Sequence, residues 1–160
     1  MNGHATMAGT EAALGPSTLA SDALLSLESL VAERSAHAQP LDAEVECMAK
    51  VVYHEAANQP LAGQLAVAQL ILNRMKSGRF PKTPCTVVNQ PGQFFQTARY
   101  SVAASKRWST AVAISLLAAE ERLGQVVPGA LFFHAASAHP SAMVQRRVRV
   151  ARIGDQIFYR

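Results

Sequence analysis

Two stretches, Asp42–Ala57 (DAEVECMAKVVYHEAA) and Leu61–Met75 (LAGQLAVAQLILNRM), flank the break Asn58-Gln59-Pro60 and carry the architecture of the chain. In the first, Val45, Met48, Ala49, Val52, Tyr53 and Ala56 recur at helical spacing. Asp42 is a natural N-cap, and Glu44 and Glu46 sit in the first turns, where the helix dipole favours negative charge. The second opens after Pro60 and is apolar on nearly every side apart from Gln64, Gln69, Asn73 and Arg74, which predicts a central, buried helix.

One acid does not fit that pattern. At 100° per residue Glu55 falls at the edge of the apolar arc beside Met48 and Val51, near the end of its helix. Burial and the dipole both disfavour the charged form of a carboxyl there, which is the setting of a general acid. The neighbouring His54-Glu55 begins like the zinc-protease helix H-E-x-x-H, but the fifth position is Asn58 and the second histidine is missing. No metal or other cofactor is expected.

Outward from this pair, Ser77–Pro91 carries Gly78, Pro81, Pro84 and Pro91 and reads as a loop, followed by the polar and aromatic patch Gly92-Gln93-Phe94-Phe95-Gln96. A further helix is predicted from about Lys106 to Leu123, with Trp108, Val112, Ser115, Leu116 and Ala119 on its packed face and Gly124 as its stop. Ala130–His134, Arg147–Ile153 and Gln156–Tyr159 favour strands, the last two joined by the two-residue turn Gly154-Asp155, so a small antiparallel sheet closes the chain. Towards the start, Leu24, Leu27, Leu30 and Val31 predict a short amphipathic helix over Ser21–Ala36, serving either to pack on the domain or as a linker. Residues 1 to 18 read as a tail. The expected organisation is therefore residues 1–40 as tail and helix, and residues 41–160 as one catalytic domain of α+β class.

The 160 residues carry a net charge of +4, unevenly spread. Residues 1–40 hold four acids against Arg34, and residues 41–160 hold fourteen lysines and arginines against seven acids, so the second part suits an anionic partner. No nucleic-acid recognition module accompanies the charge, and no run of about 20 apolar residues is present to span a bilayer. Neither nucleic-acid binding nor stable membrane insertion is expected. Met1–Ala20 has no basic residue and is interrupted by Gly3, Gly9, Gly15 and Pro16, so it does not read as an export signal. Cys47 and Cys85 lie outside any CxxC motif, and their spacing leaves a disulfide and two buried thiols equally open. No P-loop, dinucleotide fingerprint or G-x-S-x-G elbow occurs.

Six segments in order, Tyr53-His54-Glu55-Ala56, Gly63–Ala68, Asn73-Arg74, Gly92-Gln93-Phe94, Gly129–His134 and Ile153–Arg160, resemble the SleB-type cell wall hydrolases, the spore cortex-lytic family. The resemblance spans residues 41–160. It implies a mainly helical, lysozyme-like domain that cleaves peptidoglycan between N-acetylmuramic acid and N-acetylglucosamine as a lytic transglycosylase, acting as a monomer in the periplasm or cell envelope. It further implies Glu55 as the catalytic acid and a disulfide between Cys47 and Cys85. Gln93 would hydrogen-bond the sugar, Tyr53 and Phe94 would shape the cleft, and His134 would lie near its floor. Where the family usually reads E-A-R-G-E-P, this chain has Glu55-Ala56-Ala57-Asn58-Gln59-Pro60, lacking the arginine and the second acid. The tryptophan usual after the proline that follows the histidine is also absent around Pro140–Met143. A muramoyl-L-alanine amidase and a non-catalytic wall-binding domain are the alternatives.

Glycosidases ordinarily need two carboxylates about 5 to 10 Å apart. Asp42, Glu44 and Glu46 lie two or more turns back along the helix of Glu55 and Asp155 lies in a hairpin turn, so no second acid is evident. One acid suffices where the muramic 6-hydroxyl is the nucleophile.

Overall fold

The computed structural model describes residues 16–37 and 39–160, with side chains from residue 26 onward. Its elements are α1 (Pro16–Ala36), α2 (Ala43–Ala56), α3 (Leu61–Lys76), α4 (Pro84–Val88), a 3-10 turn (Thr97–Arg99), α5 (Lys106–Ala119), β1 (Phe132–Ala135), α6 (Ala142–Gln145), β2 (Arg149–Ile153) and β3 (Gln156–Tyr159). Most of the expected tail lies outside the described residues, and positions 16–18 are already helical.

Helix α2 begins where Asp42 accepts the backbone N–H groups of Glu44 (2.9 Å) and Val45 (3.4 Å). Met48, Ala49, Val51, Val52 and Ala56 are buried, so α2 packs as its periodicity predicts. Helix α3 is the centre of the molecule, with every residue from Gly63 to Leu72 buried. Its polar side chains satisfy distant backbone. The Gln69 amide donates to the Gly124 carbonyl (3.0 Å) and accepts from the Val126 N–H (2.9 Å), and Asn73 donates to the Ala130 carbonyl (3.1 Å). Arg74 Nε donates to the Leu131 carbonyl (2.7 Å). Residues 124–131, irregular in themselves, are thereby fastened along α3 and deliver β1 to its place.

Helix α5 ends at Ala119, short of the expected Leu123, because the chain turns at Glu121 with φ 55° before it reaches Gly124. Its buried face is Ala111, Ala113, Ile114, Ser115, Leu117 and Ala118. Of the face expected to pack, only Ser115 is buried; Trp108, Val112 and Leu116 are partly covered and Ala119 is exposed. The helix is apolar over so wide an arc that periodicity alone could not orient it. Helix α1 packs on the domain rather than leading to it. Leu27 and Val31 belong to the same core, and Arg34 pairs with Glu120 at 2.5 Å.

The three strands form an antiparallel sheet in the order β1-β3-β2, pairing Phe133 with Phe158 and Arg152 with Ile157, with a bulge between Arg149 and Ala151. Phe158 is fully buried and joins the sheet to the helical core. Helix α4 lies where loop was expected, and α6 in a stretch for which no element was predicted. Helix α4 is closed by a Thr83–Thr86 capping box with Pro84 in its first turn, and α6 is capped by Ser141. Cys47 of α2 and Cys85 of α4 form a disulfide, with Cα atoms 5.2 Å apart.

Candidate active site

Glu55 occupies the last turn of α2, where the chain breaks before Pro60 starts α3. The side chain is 32% exposed, with one carboxyl oxygen 3.3 Å from His54 Nδ1. Its surroundings are therefore less apolar than the helical arc suggests. On one side it borders a cavity of about 240 Å³ shared with Arg74, Gln93, Phe94, Phe133 and His134, and on the other one of about 610 Å³ shared with Asn58, Gln59, Asp155 and Gln156. Glu55 and Ala135 line both, so a groove runs across the carboxyl from one side to the other.

In the smaller cavity Arg74 is the organising residue. It is 4% exposed and has no carboxylate partner among the described residues. Instead its guanidinium lies 4.8, 5.3 and 5.4 Å from the ring centres of Phe80, Phe94 and Phe132. Burial pushes its pKa down to about 10, so it remains a cation at neutral pH. Arg74 Nη1 donates to Gln93 Oε1 at 3.0 Å, which leaves the Gln93 amide N–H groups to face the cavity as donors. From the sequence, Asn73 and Arg74 read more readily as the cap of α3. They act instead as tethers, and the helix continues to Lys76.

Gln93 and Phe94 are held in position from α2 and α4. Lys50 Nζ donates to the Thr97 carbonyl (3.0 Å), Asn89 Oδ1 accepts from the Thr97 N–H (3.0 Å), and Phe95 packs on His54 and Tyr100 with ring centres 4.3 and 4.8 Å apart. Phe94 lies 6.3 Å from Phe133 on β1. His134 is engaged at both nitrogens. Nδ1 lies 2.7 Å from the Ala135 carbonyl, which can only accept, so Nδ1 carries the hydrogen of the neutral ring and Nε2 accepts from the Tyr159 hydroxyl at 2.8 Å.

Tyr53 stands apart from this group. Its ring packs edge-on against Trp108 at 6.0 Å and lies 6.4 Å from Tyr100, and it lines neither cavity around Glu55. Two positions apart on a helix is about 200° of rotation, so Tyr53 and Glu55 point to opposite sides.

The larger cavity contains what spacing in the sequence could not reveal. The β2–β3 turn is tied to the α2–α3 corner, with the Asp155 N–H donating to Gln59 Oε1 (2.9 Å) and Gln156 Nε2 donating to the Glu55 carbonyl (2.9 Å). Gly154, at φ 55°, is required here, since a Cβ would collide with the Gln59 side chain. These ties bring Asp155 into the cavity that Glu55 borders. Its carboxylate is 79% exposed and loosely paired with Arg152 at 3.9 Å. The motif Gly154-Asp155-Gln156 was legible as a turn, but the contacts that seat it span about a hundred residues.

The profile of the cell wall hydrolase family matches residues 58–159. The chain is 32% identical over 119 residues to the spore cortex-lytic enzyme of Halalkalibacterium halodurans, covering 73% of this chain and 34% of that protein. It is 44% identical over 55 residues to the spore cortex-lytic enzyme of Oceanobacillus iheyensis, covering 34% of this chain and 20% of that one. The chain thus spans about a third or less of these relatives' lengths. Among solved structures, the catalytic domain of the germination-specific lytic transglycosylase SleB from Bacillus anthracis superposes with a TM-score of 0.65 at 28% identity, covering 78% of this chain and all of that one. The catalytic domain of the Bacillus cereus SleB protein gives 0.63 at 29% identity, covering 73% and 89%. The mainly helical α+β arrangement with its small antiparallel sheet is common to them. With the family profile matching most of the chain, and two catalytic domains of the same fold superposing on it, this chain belongs to the cell wall hydrolase family.

Proposed function

We propose that this domain cleaves the glycan of peptidoglycan between N-acetylmuramic acid and N-acetylglucosamine, as a lytic transglycosylase with Glu55 as its one catalytic acid. The observation that carries the reading is the groove that crosses Glu55, with cavities for sugar on both sides of the carboxyl. Protonated Glu55 donates to the glycosidic oxygen, and the bond from that oxygen to the muramic C1 breaks. The resulting carboxylate then takes the proton of the muramic 6-hydroxyl as its oxygen bonds to C1, closing a 1,6-anhydro ring and restoring the acid. Glycan filling both cavities would displace water from a carboxyl that is one-third exposed in the open groove.

Gln93, its oxygen held by Arg74, donates to a sugar carbonyl or hydroxyl, and Phe94 offers a ring against the sugar face. His134 holds the floor through Tyr159. Tyr53 serves from behind, by packing α2 against α5. The partner is peptidoglycan, met by a monomer in the cell envelope or periplasm. The Cys47–Cys85 disulfide suits such an oxidising compartment, and among the described residues no helix is long and apolar enough to cross a membrane.

Asp155 supports a second reading. As a second carboxylate bordering the same cavity, it is a candidate base for hydrolysis by water. Digestion of purified peptidoglycan, with products identified by mass spectrometry without reduction, separates the two. Anhydro-muramic ends, lost by on the order of 1,000-fold in Glu55→Gln and kept within about threefold in Asp155→Asn, support transglycosylation. Reducing ends, with both variants inactive, would establish the hydrolase. Freed peptides with intact glycan would mean an amidase, and no product from the wild type would mean a binding domain.

A further inference from the structure

Among the described residues Arg34 and Arg122 pair with Glu120, Lys50 with Glu46 and Lys76 with Glu121. Residues 142–160 carry five arginines against the single acid Asp155, whose carboxylate pairs only with Arg152 among them. Arg146 and Arg147 have no ionic partner among the described residues, and Arg147 Nε is buried without any hydrogen-bond acceptor. The Arg147 guanidinium lies 4.8 Å from the centre of the Phe132 ring, the ring that Arg74 also approaches. Arg74 is occupied by Leu131 and Gln93, whereas Arg147 is not occupied.

These two arginines follow α6, whose Val144 is anchored with Leu131, Phe132 and Tyr159, and the Arg147 N–H donates to the Val144 carbonyl at 2.9 Å. Together with Ala142 and Met143 they line a hollow of about 430 Å³. Met143, 46% exposed, also lines the smaller cavity beside Glu55, so the hollow continues the groove outward. A guanidinium held on an aromatic face, its Nε buried, presents its two terminal nitrogens as the edge that takes a carboxylate through paired hydrogen bonds. On a glycan lying in the groove, the anions within a side chain's reach are the carboxylates of the stem peptides that branch from muramic acid.

Resting on the reading of the groove as a glycan site, we propose that Arg146 and Arg147 bind stem-peptide carboxylates. The substrate class is then peptide-bearing glycan in preference to glycan stripped of its peptides.

The test measures binding without turnover. The Glu55→Gln protein is sedimented with uncrosslinked glycan strands carrying their peptides, and with the same strands after amidase treatment. The expected result is binding about tenfold tighter to the peptide-bearing strands at low salt, the scale of two exposed charge contacts, declining as salt rises. Adding Arg146→Gln and Arg147→Gln brings the two glycans within about twofold. Because Arg147 packs on Phe132, Arg146→Gln alone, at an exposed position, is measured beside it and lowers the preference in part. Equal binding to both glycans by the Glu55→Gln protein overturns the proposal, as does a preference unchanged in the arginine variants. Displacement by inorganic polyphosphate without any preference between the glycans also overturns it, in favour of a phosphate-bearing wall polymer. Preference without cleavage by the wild type would sink the transglycosylase reading and leave this one standing, and cleavage without preference would do the reverse.

Discussion

The two walls of the groove are built by different rules. The wall that carries Glu55 is the α2–α3 pair, where apolar periodicity, an Asp42 cap and a clean break at Pro60 specify the structure locally. The opposite wall, made of residues 89–100 and the C-terminal sheet, has strands of only four or five residues and irregular segments between them. Long-range side-chain hydrogen bonds hold it: Arg74 to Leu131, Asn73 to Ala130, Gln156 to Glu55. The acid is therefore placed by a rigid helix, while the groups facing it depend on a few polar ties whose loss leaves buried groups unpaired.

Removing the disulfide tests how independent the helical wall is and should have the largest effect on stability. The Cys47–Cys85 loop of 38 residues gives a chain-entropy contribution of about 4 kcal/mol. The double Cys→Ala variant should lose about that much in denaturant unfolding while keeping its helical circular dichroism. A loss below about 1 kcal/mol would mean the two helices hold α4 without it.

A matched pair of substitutions sharpens the contrast. Gln69→Leu strips partners from the Gly124 carbonyl and the Val126 N–H and should cost about 2–3 kcal/mol. Gln156→Leu removes an amide whose Oε1 has no partner, so stability should change by only about 1 kcal/mol. Its activity should nonetheless fall about tenfold, because the tie to the Glu55 carbonyl is gone. Equal effects of the two on both stability and turnover would break the distinction between the walls.

The smallest effect lies at the surface of the helical region. Arg122 first, through a hydrogen bond, and then Arg34 hold the Glu120 carboxyl below its ordinary range. A carboxyl depressed in the folded state adds stability above its unfolded value and loses it as pH falls through the folded value. Glu120→Gln should therefore cost about 0.5 kcal/mol at pH 7. The difference from wild type should vanish on acid titration of the thermal midpoint.

Much of the helical wall was legible because helices of 14 and 16 residues repeat their pattern several times. Helices α4 and α6 have five and four residues, too few for any period to show, and they depend on the Thr83 and Ser141 caps. The buried face of α5 could not be chosen from a sequence apolar over so wide an arc, since which side is covered depends on where its neighbouring helices lie. Glu55 stood out because an acid at the end of a helix contradicts the dipole, a local anomaly. Nothing local marked Asp155 as its neighbour or Arg74 as the support of Gln93.

The paired helices, the closing hairpin and the one acid out of place follow from spacing, capping and turn chemistry within a few residues of each other. Packing between distant segments turns Tyr53 to the back, brings Asp155 to the groove and leaves Arg147 without an ionic partner among the described residues. Each of those outcomes depends on contacts between segments far apart in the chain, where a side chain's role is set by the neighbour that folding brings to it.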